Sequence, residues 1–279
     1  MIPAQFDYVA PESLDDALAA LRDGGEDAKI IAGGHSLLPL MKLRLAAPSL
    51  LVDLRRVPGL SGIQRENGSV RIGAMTHHHD VATGGLGLAS TAASTIADQQ
   101  VRNRGTIGGS LAHGDPAADM PAVLLASEGT VTVRGQSGQR EVAAADLFHD
   151  FLTTAIGDDE ILKEVRIPKR AGWGAHYEKF VRVAHQWPIV AVAAAVKVEG
   201  GTISEARVGL TNMGSTPLRA RTVEDALVGQ PATDEAVRAA AASAADGTNP
   251  PSDLNGDADY RRHLATVLTR RAVLAAAGA

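Results

Sequence analysis

Residues 106–119 have the sequence Thr106-Ile107-Gly108-Gly109-Ser110-Leu111-Ala112-His113-Gly114-Asp115-Pro116-Ala117-Ala118-Asp119, in which two adjacent glycines precede a serine. Earlier in the chain, the stretch Ala32-Gly33-Gly34-His35-Ser36 has a similar arrangement, since it also follows an apolar segment and ends in a serine. One pair of glycines after a strand is most often a tight turn. The repetition within one chain indicates that the two loops act together.

Glycine-rich loops of this kind suit a diphosphate. A diphosphate needs several backbone N–H groups close to it, and glycine lets the main chain approach closely and adopt positive φ. A serine hydroxyl can donate to a phosphate or cap the next helix. Two such loops could hold the diphosphate of a dinucleotide from both sides. Neither loop is Gly-x-Gly-x-x-Gly, and Asp53 alone stands near the position of a Rossmann ribose contact, which disfavours a Rossmann dehydrogenase.

The composition narrows the function classes. The chain has 279 residues, of which 45% are hydrophobic and 21% charged, as is typical of a folded globular protein of two domains. Its net charge is −5 and its basic residues are scattered, which argues against nucleic-acid binding. It has no cysteine, so disulfides, iron–sulfur ligation and thiol chemistry are excluded for this chain.

The sequence also lacks the patterns of membrane and export segments. Residues 1–8 contain no basic segment followed by an apolar one, and no run of eighteen apolar residues occurs. We therefore expect a cytoplasmic protein without a transmembrane segment.

Hydrophobic spacing in the first half predicts alternating strands and helices. The predicted elements are a helix from Leu14 capped by Ser13 and ended by Gly24-Gly25, a strand at 29–32, a helix after a Ser36 cap, strands at 50–54 and 70–74, a helix capped by Thr76, and a long helix at 87–101.

The pattern of predicted elements changes after a linker predicted at 169–174. Before it, Asp115 and Pro116 are typical of a helix start. After it, three strands in series predict an antiparallel meander whose turn contains Gly200-Gly201. The predicted elements are a helix at 117–126, strands at 129–134 and 160–167, meander strands at 177–183, 189–198 and 203–210, and helices at 233–245 and 258–277.

These motifs resemble those of the FAD-binding medium subunits of molybdenum hydroxylases, such as aerobic carbon monoxide dehydrogenase, and of the flavin domain of xanthine dehydrogenase. Residues 32–42 are similar to the first FAD motif of that family, and residues 106–119 to its longer and more specific second motif. Thr211-Asn212 and Leu268-Thr269-Arg270-Arg271-Ala272 are similar to its C-terminal domain. The resemblance therefore covers the whole chain.

The resemblance implies an α+β fold. Its first part would be a vanillyl-oxidase (PCMH)-type FAD-binding domain over residues 1–171, made of two α+β subdomains at about 1–55 and 56–171. Its second part would be a C-terminal domain of antiparallel strands with helices over residues 175–279.

The resemblance also implies which residues contact the cofactor. Asp119 would bond the ribityl or ring region, and Ile96 would lie near the adenine or the ring. Leu162 would pack on the flavin, and Lys179 would approach the ring, where a cation stabilises negative charge on reduced flavin. The implied cofactor-binding set is Ala32, Gly33, Gly34, His35, Ser36, Leu37, Ile96, Thr106, Gly108, Gly109, Ser110, Asp119, Leu162, Lys179 and Trp187.

Several of these residues have simpler interpretations. Asp119 is compatible with a solvated helix face, and Lys179 with a solvated strand position. Trp187 stands where the family often has an aromatic residue over the flavin, but Gln186-Trp187-Pro188 departs from the commoner pattern.

Other polar residues invite different interpretations. The simplest interpretation of Asp115 is a helix cap. His77-His78-His79 suggests a metal site, yet adjacent side chains point in different directions, so a polar turn at a helix start is favoured. Arg102 and Arg104 could neutralise a phosphate or form surface ion pairs.

The implied activity is electron transfer through noncovalent FAD. Electrons would come from iron–sulfur clusters on a small partner subunit, while a large partner subunit would hold the molybdenum cofactor, in a dimer of heterotrimers. Carbon monoxide oxidation is the favoured overall reaction, and hydroxylation of N-heterocycles or aldehydes is the alternative. The acceptor is left open among quinone, NAD and oxygen. Two rivals are a self-sufficient flavin oxidase and a scaffold in which the loops are only turns.

Overall fold

The computed structural model describes residues 2–279. It contains a three-stranded, a five-stranded and a four-stranded sheet, in that order along the chain, together with a two-stranded ribbon. Within the described residues no helix combines the length and apolarity needed to cross a bilayer.

The first unit is a small parallel sheet with strand order β1-β3-β2. The Ser13 hydroxyl accepts a hydrogen bond from the Asp16 N–H at 3.0 Å, and the first helix ends at Gly25 with φ +63°, both as predicted. The helix packs Leu18 and Leu21 towards the sheet. The elements are β1 (Asp7–Val9), α1 (Leu14–Gly24), β2 (Ala28–Ile31), α2 (Leu37–Lys42) and β3 (Leu50–Asp53).

The second unit is an antiparallel sheet of order β4-β5-β10-β6-β7, covered by a layer of short helices. The elements are β4 (Ile63–Arg65), β5 (Ser69–Gly73), α3 (His78–Thr83), α4 (Leu88–Ser94), α5 (Gln99–Arg102), α6 (Ile107–His113), α7 (Asp119–Ser127), β6 (Thr130–Gly135), β7 (Gly138–Ala143), β8 (Phe148–Asp150), β9 (Thr153–Thr154) and β10 (Ile161–Pro168).

The long helix predicted at 87–101 is wrong, because the chain breaks between α4 and α5. Ala97 has φ +40°, and the Asp98 side chain starts α5 by accepting from the Val101 N–H at 2.9 Å. The Arg102 guanidinium donates to the carbonyl of Ile96 at 2.8 Å and to that of Ala97 at 3.1 Å. Arg102 is therefore used to stabilise the break, since it occupies carbonyls that the helix leaves without donors.

Two of the helix caps predicted in the second unit are also wrong. Thr76 bonds to Gly62, with its hydroxyl accepting from the N–H at 2.9 Å, while α3 begins one residue later than a Thr76 cap requires. Asp115 does not cap the next helix, because α7 starts at Asp119. Instead its carboxylate accepts from the Ala117 N–H at 2.8 Å, which is a local turn of the kind that aspartate favours.

The third unit is the predicted meander, continued by a short strand and packed against helices. Its turn has φ +59° at Gly200 and +81° at Gly201, as a two-residue hairpin requires. The linker predicted at 169–174 is shorter than expected, because β11 already begins at Trp173. The elements are β11 (Trp173–Phe180), β12 (Val190–Glu199), β13 (Thr202–Thr211), β14 (Leu218–Arg219), α8 (Arg221–Leu227), α9 (Asp234–Ala241) and α10 (Ala258–Ala277).

Helix α7 joins the second unit to the third. All of its residues are buried, and a Cβ on Gly209 of β13 would lie 2.3 Å from the carbonyl oxygen of Ala122, so glycine allows the close approach. At its end, the Glu128 carboxylate lies 2.7 Å from Arg207 and 3.3 Å from Arg219 of the third unit. The first residue of α7, Asp119, is therefore held at the boundary between the units.

Candidate cofactor-binding site

A deep cleft lies where the three units meet, with a volume of about 550 Å³. This size suits a large organic cofactor. All of the residues that the sequence and the resemblance selected line this one cleft: Ala32, Gly33, Gly34, His35, Ser36, Leu37, Ile96, Thr106, Gly108, Gly109, Ser110, Asp119, Leu162, Lys179 and Trp187.

The first glycine loop packs closely against the main chain that leads into the second glycine loop. A Cβ on Gly33 would lie 2.3 Å from the carbonyl oxygen of Arg104 and 2.7 Å from the Cα of Gly105. Gly34 has φ +78°, which favours glycine. The backbone N–H groups of residues 33–36 donate to no other group of the described chain. The loop therefore offers free donors in the cleft, as a diphosphate requires.

Two polar side chains of the first loop face the same cleft. Ser36 has helical dihedral angles and makes no side-chain cap, contrary to the prediction, so its hydroxyl is available in the cleft. Burial, and then the nearby charge of Arg104, lowers the pKa of His35 below its ordinary value. His35 is therefore neutral near pH 7 and can still donate one hydrogen bond.

The second loop contributes differently, because its backbone donors are already used. Thr106 caps α6, and a Cβ on Gly108 would lie 2.4 Å from that of Ala74, so this glycine serves packing against the end of β5. The donors and their acceptors are Ile107 N–H to Thr76 O at 3.0 Å, Gly108 N–H to Ala74 O at 2.8 Å, Gly109 N–H to Thr106 Oγ1 at 3.2 Å and Ser110 N–H to Thr106 O at 3.1 Å. The side chains of Thr106 and Ser110 remain as its polar groups in the cleft.

A buried ionic group also lines the cleft. The Lys179 ammonium lies 3.0 Å from the Asp119 carboxylate, and the Tyr177 hydroxyl donates to Asp119 Oδ1 at 2.7 Å. Burial raises the pKa of Asp119, while Lys179 and the Tyr177 hydroxyl oppose that rise. The solvated alternatives for Asp119 and Lys179 are therefore wrong, since both side chains are buried. Sequence reasoning missed Tyr177, whose only signal is its spacing of two residues from Lys179 on a strand.

Apolar residues line the same cleft. Ile96 reaches the cleft because the chain breaks after α4, and the same break leaves the Thr95 carbonyl free to accept from Lys179 at 3.2 Å. Leu162 comes from β10, beside a register shift between Leu162 and Glu164. The cleft thus offers apolar contacts suited to a flat ring system.

A loop from the third unit forms one edge of the cleft. Trp187 lines it with 57% of its surface exposed. In the same loop, His185 Nε2 lies 3.1 Å from Asp98 of the second unit. The loop between β11 and β12 therefore joins the third unit to the second beside the cleft.

The histidine run holds the second loop in place. His77 Nδ1 lies 2.7 Å from the Asn103 carbonyl oxygen, and the His78 N–H donates to the Gly105 carbonyl at 2.9 Å. His78 is buried, lines the cleft and has an Nδ1 without a hydrogen-bond partner. Across residues 2–279, no group of three or more residues suited to a metal ion is found. The interpretation of a polar turn is thus wrong for His78, whose side chain packs inside.

We expect His78 to make the fold sensitive to acid. Burial lowers its pKa from 6.5 to about 4. Between these values the unfolded chain binds a proton that the folded chain does not, so stability decreases as the pH falls from 6.5 to about 4, by about 3 kcal/mol. Denaturant unfolding at several pH values should show this loss in the natural chain and a flatter curve in His78→Leu. Parallel curves for the two proteins would contradict the assignment.

Asp53 makes structural hydrogen bonds and is not placed to bind a ribose. It is buried at the end of β3, where the Tyr8 hydroxyl donates to it at 2.7 Å and the Arg55 guanidinium lies 2.6 Å away. These hydrogen bonds lower its pKa despite burial. The exclusion of a Rossmann-type ribose contact agrees with this geometry.

Comparison with known proteins identifies the family of the chain. Residues 4–170 match the family described as FAD binding domain in molybdopterin dehydrogenase, and residues 175–276 match the CO dehydrogenase flavoprotein C-terminal domain. The carbon monoxide dehydrogenase medium chain of Hydrogenophaga pseudoflava is 44% identical over 99% of this chain and 98% of its own length. Subunit alpha of the 6-hydroxypseudooxynicotine dehydrogenase complex of Paenarthrobacter nicotinovorans is 40% identical over 97% and 94%.

Solved structures agree with these relatives. Carbon monoxide dehydrogenase from Hydrogenophaga pseudoflava, in a form lacking the Mo-pyranopterin moiety of its cofactor, superposes with a TM-score of 0.97 at 45% identity, covering 100% of this chain and 99% of that one. The resemblance inferred from the two motifs, and the α+β fold that it implied, are thereby confirmed. The chain belongs to the family of FAD-binding flavoprotein subunits of molybdopterin dehydrogenases.

Proposed function

We propose that the chain transfers electrons through FAD as the medium subunit of a molybdenum hydroxylase that oxidises carbon monoxide. The observation that carries the proposal is that one cleft is lined by both glycine loops, by apolar residues and by the Asp119–Lys179 pair. When bound, FAD supplies a ring that accepts two electrons and one proton and passes the electrons on. The chain's own residues bind that ring, orient it and exclude water from it.

The polar and apolar residues that line the cleft suggest which parts of noncovalent FAD they contact. The free N–H groups of residues 33–36, with Ser36 and His35, would hold the diphosphate. Ile96 and Leu162 would pack against the ring system, and Lys179 would face it. A cation at that place stabilises the negative charge that reduced flavin carries. We propose the set of fifteen cleft residues given above as the cofactor contacts.

The proposal includes partner subunits, because the chain has no cysteine with which to bind an iron–sulfur cluster. A small subunit would hold the clusters that deliver electrons, and a large subunit the molybdenum cofactor, in a dimer of heterotrimers. We propose residues 1–171 as the FAD-binding domain, with subdomains dividing near residue 55, and residues 175–279 as the C-terminal domain. A cytoplasmic location stays a prediction.

Carbon monoxide is favoured as the substrate of the complex by the 44% identity to a carbon monoxide dehydrogenase medium chain over nearly the whole length. The 40% identity to a subunit of a 6-hydroxypseudooxynicotine dehydrogenase complex supports the alternative of an N-heterocycle. Substrate choice would then belong to the large subunit.

Purification of the native assembly under mild conditions tests this proposal. Mass spectrometry should find a cysteine-rich small subunit and a large subunit, and assays should find flavin, iron and molybdenum together. A flavoprotein isolated alone and reduced directly by an alcohol or an amine would support a self-sufficient oxidase. A protein that gains no flavin spectrum with FAD would leave only the scaffold interpretation.

Trp187 provides a direct test of where the ring lies. In Trp173→Phe it is the only tryptophan, and without FAD its exposed ring should be readily quenched by acrylamide. We expect FAD to reduce this quenching several-fold, because the ring system would cover the indole. The control is Trp187→Phe, in which the Trp173 ring remains in contact with the guanidinium groups of Arg170 and Arg207, at 4.9 and 5.4 Å from its centre, and should be unaffected by FAD. Equal protection of both tryptophans would contradict the placement.

A further inference from the structure

Tyr177 is connected to the cleft without lining it. It lies on β11 with 3% of its surface exposed, and its hydroxyl donates to Asp119 Oδ1 at 2.7 Å. Lys179 is two residues further along the same strand, so both side chains point to the same face. Tyr177 belongs to the third unit and Asp119 to the second, so the hydrogen bond also crosses the boundary between the units.

A chain of hydrogen bonds continues from Tyr177 to the cleft. Lys179 Nζ donates to Asp119 Oδ2 at 3.0 Å and to the Thr95 carbonyl at 3.2 Å. Asp119 and Lys179 both line the cleft. An ammonium has three donors, and these two bonds use two of them. The arrangement leaves one N–H of Lys179 for a group in the cleft.

The hydroxyl of Tyr177 decides the charge of this group. Asp119 is buried, and burial alone favours its neutral form. Two donors, Tyr177 and Lys179, oppose this effect and favour the carboxylate, and a carboxylate paired with an ammonium has no net charge. Without the Tyr177 hydroxyl, Oδ1 would lose its short hydrogen bond, and the carboxyl would bind a proton more readily. Protonation would leave a net charge of one positive unit beside the cleft.

We propose that Tyr177 is a positioning residue that sets the reduction equilibrium of the bound flavin, by keeping Asp119 ionised and paired with Lys179. The inference rests on the proposed function, in which the flavin ring lies beside Lys179. The natural arrangement keeps the local charge balanced and so limits how strongly the site favours reduced flavin. This would let the flavin pass its electrons on to the acceptor.

The test is Tyr177→Phe in the assembled complex, titrated spectrophotometrically at pH 7 against a reference dye of known potential. We expect the ratio of reduced to oxidised flavin, at a fixed dye ratio, to rise about tenfold. FAD content should stay unchanged, because Tyr177 does not line the cleft. Tyr260→Phe is the control, since Tyr260 is half exposed and contacts the edge of Phe180, and it should leave the ratio unchanged.

Asp119→Asn provides a second route that leaves the tyrosine in place. It removes the negative charge but keeps an oxygen that can accept from Tyr177, and it should raise the same ratio. Adding Tyr177→Phe to Asp119→Asn should then change little, because the charge that the hydroxyl controls is gone. If Tyr177→Phe fails to assemble, Asp119→Asn alone decides.

The outcomes separate the inference from the proposed function. A natural complex that contains no flavin speaks against the function itself. A flavin-loaded Tyr177→Phe complex whose ratio stays within about twofold of the natural one, or falls, overturns the assignment of Tyr177. The same holds if Asp119→Asn leaves the ratio unchanged.

Discussion

Replacing Gly33 by alanine is expected to weaken FAD binding by about 100-fold or more, because several charge-assisted hydrogen bonds to the diphosphate would be lost together. The added Cβ would lie 2.3 Å from the Arg104 carbonyl oxygen and 2.7 Å from the Gly105 Cα. Both are main-chain atoms, so no side chain can move to relieve the contact. The first loop must therefore shift, and the N–H groups of residues 33–36 shift with it.

The matched comparison is Gly109→Ala in the second loop. Its Cβ would meet the side-chain oxygen of Thr106 at 2.8 Å, and its N–H already donates to that oxygen. We expect a smaller loss of affinity than in Gly33→Ala, whereas Gly34→Val, at φ +78°, should lose FAD as well. Affinity is measured by titrating the FAD-free chain, with circular dichroism as the check on folding. An equal or larger loss in Gly109→Ala would contradict the unequal roles of the loops.

The part of the site that local sequence signals encode could be predicted. A glycine pair after a strand requires only its own residues to be recognised, and both loops were found at their true places. The Ser13 cap, the Gly25 stop and the Gly200-Gly201 turn are likewise decided within a few residues. The assembly of the three units around one cleft came from the family resemblance and not from such signals.

Features that depend on distant residues could not be predicted. The break between α4 and α5 is stabilised by Arg102, and residues 87–101 alone are compatible with one helix. Lys179 is buried because Asp119 meets it from another unit, while its own strand shows only a lysine that could be solvated. The burial of His78 depends in the same way on the chain at Gly105.

The motif also concealed a difference in chemistry. Both loops contain two glycines and a serine, so the sequence predicts equal roles for them. At the start of α6, the N–H groups of residues 107 and 108 donate to the carbonyl oxygens of Thr76 and Ala74. Both acceptors belong to a distant part of the sequence, before α3. Donor availability is therefore a tertiary property, which the motif alone does not contain.

Lys179→Met alone is expected to lower the free energy of unfolding by about 3–5 kcal/mol, because it leaves the buried Asp119 carboxylate without its cation. The cost of protonating the Asp119 carboxylate gives a similar value for this loss of stability. Neutralising a carboxyl of ordinary pKa 3.8 at pH 7 costs about 4 kcal/mol. Denaturant unfolding of the full chain without FAD measures the loss, so that changes in cofactor affinity do not enter.

Asp119→Asn combined with Lys179→Met should recover most of that stability. The amide still accepts from the Tyr177 hydroxyl, and no unpaired charge remains in the boundary between the units. The flavin of the double variant should still differ from that of the natural chain. Because the cation facing the cleft is gone, the double variant with FAD should favour oxidised flavin relative to the natural chain. A double variant as unstable as Lys179→Met would show that methionine packing, not the lost charge, causes the instability. Recovery of stability without recovery of flavin reduction would separate the two roles of Lys179, one in joining the units and the other at the cofactor.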